Sequence, residues 1–168
     1  MGGSISVASK VGEGSCFIIA LTFELAPDES ITDETSYEED NLNGYHILLA
    51  EDNELNIDIA TSLLEDFGSV VDVAENGVIA LQKFRDNPQG TFDIILMDCL
   101  MPEMDGYEAT KAIRALDRPD AGMIPIIAMT ANAFADDVKR CLDSGMNDHL
   151  AKPFDIRMVV KTIRKYLE

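Results

Sequence analysis

The sequence predicts a doubly wound α/β fold with a five-stranded parallel sheet over residues 45–168, and three observations support this. Short apolar runs alternate with segments in which apolar residues recur at helical spacing. The runs are apolar throughout, which is typical of strands buried on both faces. Five strand-then-helix units follow one another, and right-handed crossovers place their helices on both sides of one sheet. Five units favour a flavodoxin-like strand order, 2-1-3-4-5, over a Rossmann-like order.

The five units follow in order from their apolar patterns. We expect strands at 46–50, 70–74, 93–97, 124–130 and 148–151. Each strand leads into a helix, and the helices are predicted at 55–67, 79 to about 87, 107–116, 133–142 and 156–167. Gly68, Pro88 and Gly145 mark three of the helix ends, since glycine permits the left-handed C-cap and proline lacks an amide hydrogen.

Charge and cysteine content exclude several classes of function. The formal net charge is -18 and the sequence pI about 4.2, so neither nucleic acid nor anionic lipid is an expected partner. Cys16, Cys99 and Cys141 are too few and too widely spaced for a disulfide framework or a zinc site. We therefore expect a reducing, cytoplasmic location. No apolar run reaches the roughly 20 residues of a membrane helix and no signal peptide is recognisable, so we expect no direct membrane contact.

The distribution of charge divides the chain into three pieces. Residues 26–44 contain seven acidic residues and no basic one, with little apolar surface to bury, and are predicted to form an acidic linker. This linker separates a short N-terminal piece, residues 1–25, from the α/β piece, residues 45–168.

Polar side chains follow the carboxyl ends of the predicted strands. In open parallel sheets the ligand site lies at that edge, where the strand order reverses. In chain order these side chains are Glu51 and Asp52, Asp98, Thr130, and Lys152. Singly, each has an ordinary explanation as a strand end, a helix cap or a surface residue. Together, at successive strand ends, they predict one site.

The three acids of this set predict a magnesium site. Carboxylates packed together repel one another, and a hard divalent cation with oxygen ligands relieves the repulsion. Asp52 and Asp98 fit direct ligands of Mg²⁺, Glu51 fits a ligand through water, and the backbone carbonyl of Leu100 is expected to complete the set.

Asp98 is the candidate nucleophile of the site. A metal-bound carboxylate in line with a phosphoryl donor can form an aspartyl phosphate. The transferring phosphoryl group then needs charge neutralised on its equatorial oxygens. We assign that task to Mg²⁺, Lys152 and Thr130.

Four segments of the α/β piece resemble the receiver domains of two-component response regulators. They are LLAEDN (48–53), DIILMDCLMPEMDGYEAT (93–110), PIIAMTANA (125–133) and GMNDHLAKPF (145–154). The resemblance spans residues 45–168. It implies that Asp98 accepts a phosphoryl group from a phosphohistidine and that Glu51 and Asp52 form the acidic pair for Mg²⁺.

The resemblance also implies a conformational switch. Thr130 would be the hydroxyl that moves toward the phosphoryl group, and Lys152 the charge partner of the phosphoaspartate. The family usually has Tyr or Phe three residues before that lysine, where this chain has His149; a switch role and a solvent-facing role both stay open. Leu100 and Asn132 occupy positions that tune the phosphoryl lifetime. The apolar Leu100 is expected to hinder the attacking water and slow autodephosphorylation.

The N-terminal piece resembles the end of a histidine-kinase ATPase domain. The stretch MGGSISVASKVGEGSCFIIALTFEL would form a closing β-hairpin around Gly12 and Gly14. The segments that bind ATP and carry the phosphorylated histidine in that family are absent from this sequence. We therefore expect a receiver that catalyses only its own phosphorylation and dephosphorylation, within a hybrid histidine kinase as parent protein. A membrane anchor, if the parent has one, lies outside this sequence.

The implied partners are a histidine kinase core and a histidine phosphotransfer protein. Two docking faces stay open from the sequence. One is the first receiver helix with Leu55, Asn56 and Ile59, although the leucine and isoleucine are also candidates for the core. The other is the fifth strand with its flanking helices, 134–144 and 155–167, which such domains use for homodimers.

An alternative function is that of an enzyme, a phosphatase with an Asp nucleophile. Haloacid-dehalogenase-like phosphatases also combine a strand-end Asp nucleophile with Mg²⁺. Those enzymes place a second Asp two residues after the first, to act as general acid. Leu100 occupies that position here, so the sequence argues against this alternative.

Overall fold

The structure, a computed structural model, describes residues 3–10, 12, 14–22, 41–131, 135–153 and 155–167. The chain divides into two units, Met1–Thr35 and Ser36–Glu168. The first contains an antiparallel hairpin and the second a five-stranded sheet with its helices. Among the described helices, none combines the length and the apolar composition needed to cross a bilayer.

The hairpin of the first unit pairs β1 (Gly3–Lys10) with β2 (Gly14–Leu21), as the sequence predicts. Gly12 and Gly14 have φ values of 82° and 97°, a conformation that glycine adopts at little cost and that the turn requires. Residues opposite each other in an antiparallel pair share a face. One face therefore collects five large, exposed apolar side chains: Ile5, Val7, Phe17, Ile19 and Leu21.

The sheet of the second unit is parallel throughout and has the predicted order. Its strands are β3 (His46–Ala50), β4 (Val70–Ala74), β5 (Ile94–Asp98), β6 (Ile126–Thr130) and β7 (Asp148–Ala151). They lie in the order β4-β3-β5-β6-β7, which is 2-1-3-4-5 when counted within this unit. β6 begins two residues later than predicted, because Pro125 has no amide hydrogen to give to the ladder.

In the described part of the second unit, five α-helices cover this sheet, with a short 3₁₀ helix at Pro119–Gly122. They are α1 (Glu54–Asp66), α2 (Gly77–Asp86), α3 (Gly106–Arg114), α4 (Ala135–Asp143) and α5 (Ile156–Leu167). The predicted first two residues of the fourth helix, 133 and 134, lie outside the described residues. Asn53 caps α1 by accepting a hydrogen bond from the Asn56 amide, so neither Glu51 nor Asp52 serves as the helix cap.

Two apolar layers form the core, one on each side of the sheet. Alternate residues of β3 point to opposite faces, so Leu48 packs with the α2 and α3 side and Leu49 with the α1 and α5 side. Every residue of β5 and β6 is buried. Burial of each such leucine or isoleucine contributes about 1.5–3 kcal/mol, which fixes the central strands and hence the residues at their ends.

α1 packs on the core with a different face than the apolar spacing suggests. Ala60 and Leu64 of α1 are buried, whereas Leu55 and Ile59 are 67% and 50% exposed. Leu55 lies about 140° around the helix from Ala60, at 100° per residue. The core interpretation of Leu55 and Ile59 is therefore wrong, and both apolar side chains face away from the sheet.

Leu42 belongs to the packed part of the second unit. The sequence analysis placed it in the acidic linker, but its side chain is fully buried in the layer beside α1 and α5. Its amide donates to the carbonyl of Phe67 at 2.7 Å. One apolar residue within an acidic run is a weak sequence signal, and only its contacts show where the packed structure begins.

We predict that Gly106→Ala destabilises the second unit and disturbs the end of β5. A Cβ at Gly106 would meet the carbonyl oxygen of Asp98 at 2.1 Å, so backbone atoms must shift. Overpacking of this kind costs about 1–3 kcal/mol. Urea unfolding followed by circular dichroism measures the loss.

The matched control is Gly122→Ala. No atom lies within 4 Å of a Cβ at Gly122, so this variant should unfold like the wild type. Equal stability of the two variants would contradict the assignment of Gly106 as a required close contact.

Candidate functional site

The carboxyl ends of four strands converge on one edge of the sheet, as predicted. Glu51 follows β3, Asp98 and Thr130 are the last residues of β5 and β6, and Lys152 follows β7. Main-chain hydrogen bonds hold these ends in register. The amide of Glu51 donates to the carbonyl of Ala74 at 3.0 Å, and that of Lys152 donates to the carbonyl of Thr130 at 2.7 Å.

Three carboxylates form a cluster at this edge. Ligand oxygens of Glu51, Asp52 and Asp98 lie within 4.8 Å of one another. Glu51 and Asp98 are almost completely buried, at 2% and 7% exposure, whereas Asp52 is exposed. Two acids therefore sit on the protein side of the cluster and the third faces solvent, from which an ion can enter.

Lys152 joins the two buried acids. Its Nζ donates to Glu51 Oε2 at 2.5 Å and to Asp98 Oδ2 at 2.8 Å. Thr130 is buried beside this group at the end of β6. The structure thus brings together the side chains that the sequence analysis assigned to the site.

The other oxygens of the two buried acids also accept hydrogen bonds. The amide of Leu100 donates to Asp98 Oδ1 at 3.2 Å. The side-chain amide of Asn56 donates from Nδ2 to Glu51 Oε1 at 2.9 Å. From the sequence, Asn56 is predicted only on a possible docking face, and this contact is not predicted. The available signal was a polar amide in the first turn of the helix that follows Glu51.

Electrostatics in the site follow from burial and from the shared ammonium. Burial raises the pKa of Asp98, and the nearby Glu51 adds to this, while Lys152 and the Leu100 amide act in the opposite direction. For Lys152, burial lowers the pKa, but its bonds to Asp98 and Glu51 outweigh this and the net pKa is raised. Lys152 therefore stays protonated, while burial disfavours the ionised form of Asp98 and raises its pKa.

The cluster has the charge and the donor types for a divalent cation. Three carboxylates and one ammonium leave a formal charge of two negative units within the cluster. Carboxylate oxygens are the ligands that Mg²⁺ prefers, and Mg²⁺ needs only one or two of them. The donor set therefore fits the predicted ion.

The structure describes two of the residues that are predicted to tune the switch, Leu100 and His149. Leu100 is 67% exposed next to Asp98. His149 pairs with Ala128, so strand alternation places it on the same face of the sheet as Thr130. The ring of His149 is partly exposed, with Nδ1 3.7 Å from Asp148 Oδ1. Asn132 lies outside the described residues.

Sequence comparison matches residues 47–164 to the response regulator receiver domain. Two curated relatives illustrate the match. Hybrid signal transduction histidine kinase B of Dictyostelium discoideum is 44% identical over 131 residues, which cover 72% of this chain and 6% of that protein. Aerobic respiration control sensor protein ArcB of Escherichia coli K12 is 34% identical over 168 residues, 99% of this chain and 21% of that protein. The chain therefore spans about a fifth or less of the length of these relatives.

Solved structures give the same result. The receiver domain of sensor histidine kinase PA1611 from Pseudomonas aeruginosa, solved with a magnesium ion in its active site cleft, is 39% identical with a TM-score of 0.67. The match covers 74% of this chain and 98% of that one. The receiver domain of Saccharomyces cerevisiae Ssk1, solved with the histidine phosphotransfer protein Ypd1, has a TM-score of 0.64 at 28% identity, over 73% of this chain and 88% of that one.

The haloacid-dehalogenase alternative has no support from these comparisons. The family match covers the sheet apart from its first residue, His46, and it includes all four strand ends of the site. Leu100 stands where that enzyme class places its general acid, and its exposed side chain carries no titratable group.

We predict that Asp98→Asn gains stability relative to the wild type as the pH rises. The pKa of Asp98 is raised above its ordinary value of 3.8, chiefly by burial, so the folded state holds this proton more tightly than the unfolded state. Its contribution is full below pH 3.8 and is lost as the pH passes the raised folded value. Urea unfolding of both proteins without Mg²⁺, from that pH to neutrality, measures the difference.

The sign of the trend is the test. A difference in unfolding free energy that is constant with pH, or that moves in favour of the wild type, would contradict the assignment of Asp98 as a carboxyl destabilised by burial.

Proposed function

This chain belongs to the response regulator receiver domain family, and on that premise we propose that Asp98 accepts a phosphoryl group from a phosphohistidine. The observation that carries the proposal is the ammonium of Lys152, held between Glu51 and Asp98 at the carboxyl edge of the sheet. It supplies a fixed positive charge at the carboxylate where a negative group must arrive. The domain would then act as a switch or relay in a two-component phosphorelay.

The transfer is a displacement at phosphorus. A carboxylate oxygen of Asp98 attacks, a P–O bond forms, and the P–N bond to the donor histidine breaks. The histidine nitrogen keeps the electron pair and takes a proton from solvent. The product is an acyl phosphate on Asp98, and Lys152 and Thr130 would interact with its oxygens.

We assign the metal ligands from the acidic cluster. Asp52 and Asp98 would bind Mg²⁺ directly, Glu51 through water, and the carbonyl of Leu100 would complete the protein ligands. Mg²⁺ supplies charge neutralisation on the phosphoryl oxygens when bound.

We propose that a histidine phosphotransfer protein docks on α1. Leu55 and Ile59 expose apolar side chains there. A groove of about 360 Å³ beside them is lined by Asn56, Ile59, Leu63, Lys152 and Pro153, so it reaches from α1 to the site lysine. The Ssk1 receiver, which is similar in fold, forms a complex with such a protein. Homodimerisation through β7 and its flanking helices stays a prediction.

The parent protein is proposed to be a hybrid histidine kinase in the cytoplasm, with residues 1–25 as the end of its ATPase domain. The apolar face of the β1–β2 hairpin supports this, since such a face is expected to pack on another part of a larger domain. The curated relatives, a hybrid signal transduction histidine kinase and an aerobic respiration control sensor protein, are several times longer than this chain. Free, buried Cys99 and Cys141 fit a reducing compartment.

Phosphorylation by a small donor tests the assignment of Asp98. We expect the wild-type chain, incubated with acetyl phosphate and Mg²⁺, to gain the mass of one phosphoryl group in intact-protein mass spectrometry. Asp98→Ala should gain none, because the acceptor oxygen is missing. Chelation of Mg²⁺ should abolish the wild-type adduct.

A phosphoryl adduct that still forms in Asp98→Ala would refute the assignment of Asp98 as the acceptor.

The lifetime of the wild-type adduct tests the role of Leu100. We expect slow hydrolysis of this adduct, because an apolar side chain beside the acceptor hinders the attacking water. A lifetime of seconds in the Mg²⁺-bound domain would refute that role.

A charge introduced on α1 tests the docking face. The donor is the phosphorylated histidine phosphotransfer protein of the source organism that reacts fastest with the wild type. Ile59→Asp should reduce the rate of phosphoryl transfer from this donor. A buried apolar anchor replaced by a charge typically costs a factor of ten or more, as expected from about 2 kcal/mol at a hot spot. Phosphorylation by acetyl phosphate should be unchanged, since that donor needs no protein interface.

The control for this experiment is Met158→Asp, an exposed apolar residue of α5 on the other candidate face. It should transfer like the wild type. The opposite pattern, with loss in Met158→Asp and none in Ile59→Asp, would move the docking face to α5.

A further inference from the structure

We infer that Asn56 is a positioning residue for phosphoryl transfer, acting on Asp98 through Glu51 and Lys152. The inference deepens the proposed function and rests on it. It assigns a task to a side chain that is neither a metal ligand nor a partner of the phosphoryl group.

The geometry forms a chain of three hydrogen bonds. Asn56 Nδ2 donates to Glu51 Oε1 at 2.9 Å. Glu51 Oε2 accepts from Lys152 Nζ at 2.5 Å, and the same Nζ donates to Asp98 Oδ2 at 2.8 Å. The amide on α1 is thus connected to the acceptor carboxylate through two side chains.

Glu51 needs this partner because it is buried. Its side chain is 2% exposed, so water cannot readily replace a lost donor, and an unsatisfied buried acceptor is costly. Without Asn56, the carboxylate is expected to rotate toward another donor or toward solvent. Lys152 would then lose its second anchor and would be held by Asp98 alone.

The position of Lys152 matters most during the reaction. Once Asp98 becomes an acyl phosphate, the ammonium must interact with phosphoryl oxygens rather than with a free carboxylate. Glu51 keeps the ammonium at the same place before and after transfer. The Asn56–Glu51 hydrogen bond therefore fixes a charge that the transition state uses.

Substitution of Asn56 by alanine should leave α1 folded. The helix cap of α1 uses the backbone amide of Asn56 and the side chain of Asn53, so it survives substitution. Alanine also has a higher helix propensity than asparagine. Asn56→Ala should therefore fold, and its effects should come from the site.

Two readouts test the inference. The first is the maximal rate of phosphorylation by acetyl phosphate at saturating Mg²⁺. We expect this rate to be about tenfold lower in Asn56→Ala than in the wild type, a loss typical for residues that orient a functional group. Asn56→Asp should be slower still, because a second carboxylate would face Glu51. Glu51→Ala should be slow as well, and adding Asn56→Ala to it should cause no further loss, since both act through one contact.

The second readout needs neither Mg²⁺ nor activity. The side-chain ammonium of Lys152, bonded to two carboxylates, should give a protected ¹⁵N–¹H signal in the wild type. Asn56→Ala should increase the exchange of its protons with solvent. The control is Glu65→Ala, at an exposed position near the end of α1, and it should match the wild type in both readouts.

The possible results separate the role of Asn56 from the proposed function. If Asn56→Ala equals Glu65→Ala in rate and in ammonium exchange, the inference is overturned. Full additivity of Asn56→Ala with Glu51→Ala would also overturn it, since Asn56 would then act elsewhere. If the wild type forms no adduct, the proposed function fails, while the exchange data alone still decide whether Asn56 positions Lys152.

Discussion

The second unit depends on one shared charge, the ammonium of Lys152 between the buried carboxylates of Glu51 and Asp98. Two buried acids cannot both stay ionised side by side without a cation. One ammonium compensates one of them, and the cluster keeps a negative excess that a divalent ion can neutralise. Removing one partner from a buried ion pair typically costs about 3–5 kcal/mol. The site is therefore stabilised by the lysine and still prepared for a cation and a phosphoryl group.

The fold creates this arrangement through strand order. β3 and β5 are neighbours at the centre of the sheet, so Glu51 and Asp98 end side by side. β7 lies two strands from β5, and Lys152 spans that distance with its long side chain, while the Lys152 amide is tied to Thr130. Buried apolar strands make the ends rigid, and Gly106 lets α3 begin directly against the carbonyl of Asp98.

Much of this could be predicted from the sequence, since apolar runs, helical spacing and strand-end acids each have a local signature. The strand order, the five units and the convergence of Asp98 and Lys152 followed from those signatures and from topology. The orientation of α1 did not, because Leu55 and Ile59 recur at the spacing of a core face and only packing shows that Ala60 and Leu64 take that role. The contact of Asn56 was also missed, since a hydrogen bond between a helix and a strand end depends on side-chain rotamers.

The most direct test is a crystal structure of the chain with Mg²⁺ and beryllium trifluoride, which mimics an acyl phosphate. We expect beryllium on a carboxylate oxygen of Asp98 and Mg²⁺ bound by Asp52 and Asp98. We also expect Lys152 to keep its hydrogen bond to Glu51 and to move its second hydrogen bond from Asp98 to a fluorine. A structure with no adduct on Asp98, or with Lys152 turned away from both Glu51 and the fluorines, would contradict the proposal that Lys152, held by Glu51, serves phosphoryl transfer to Asp98.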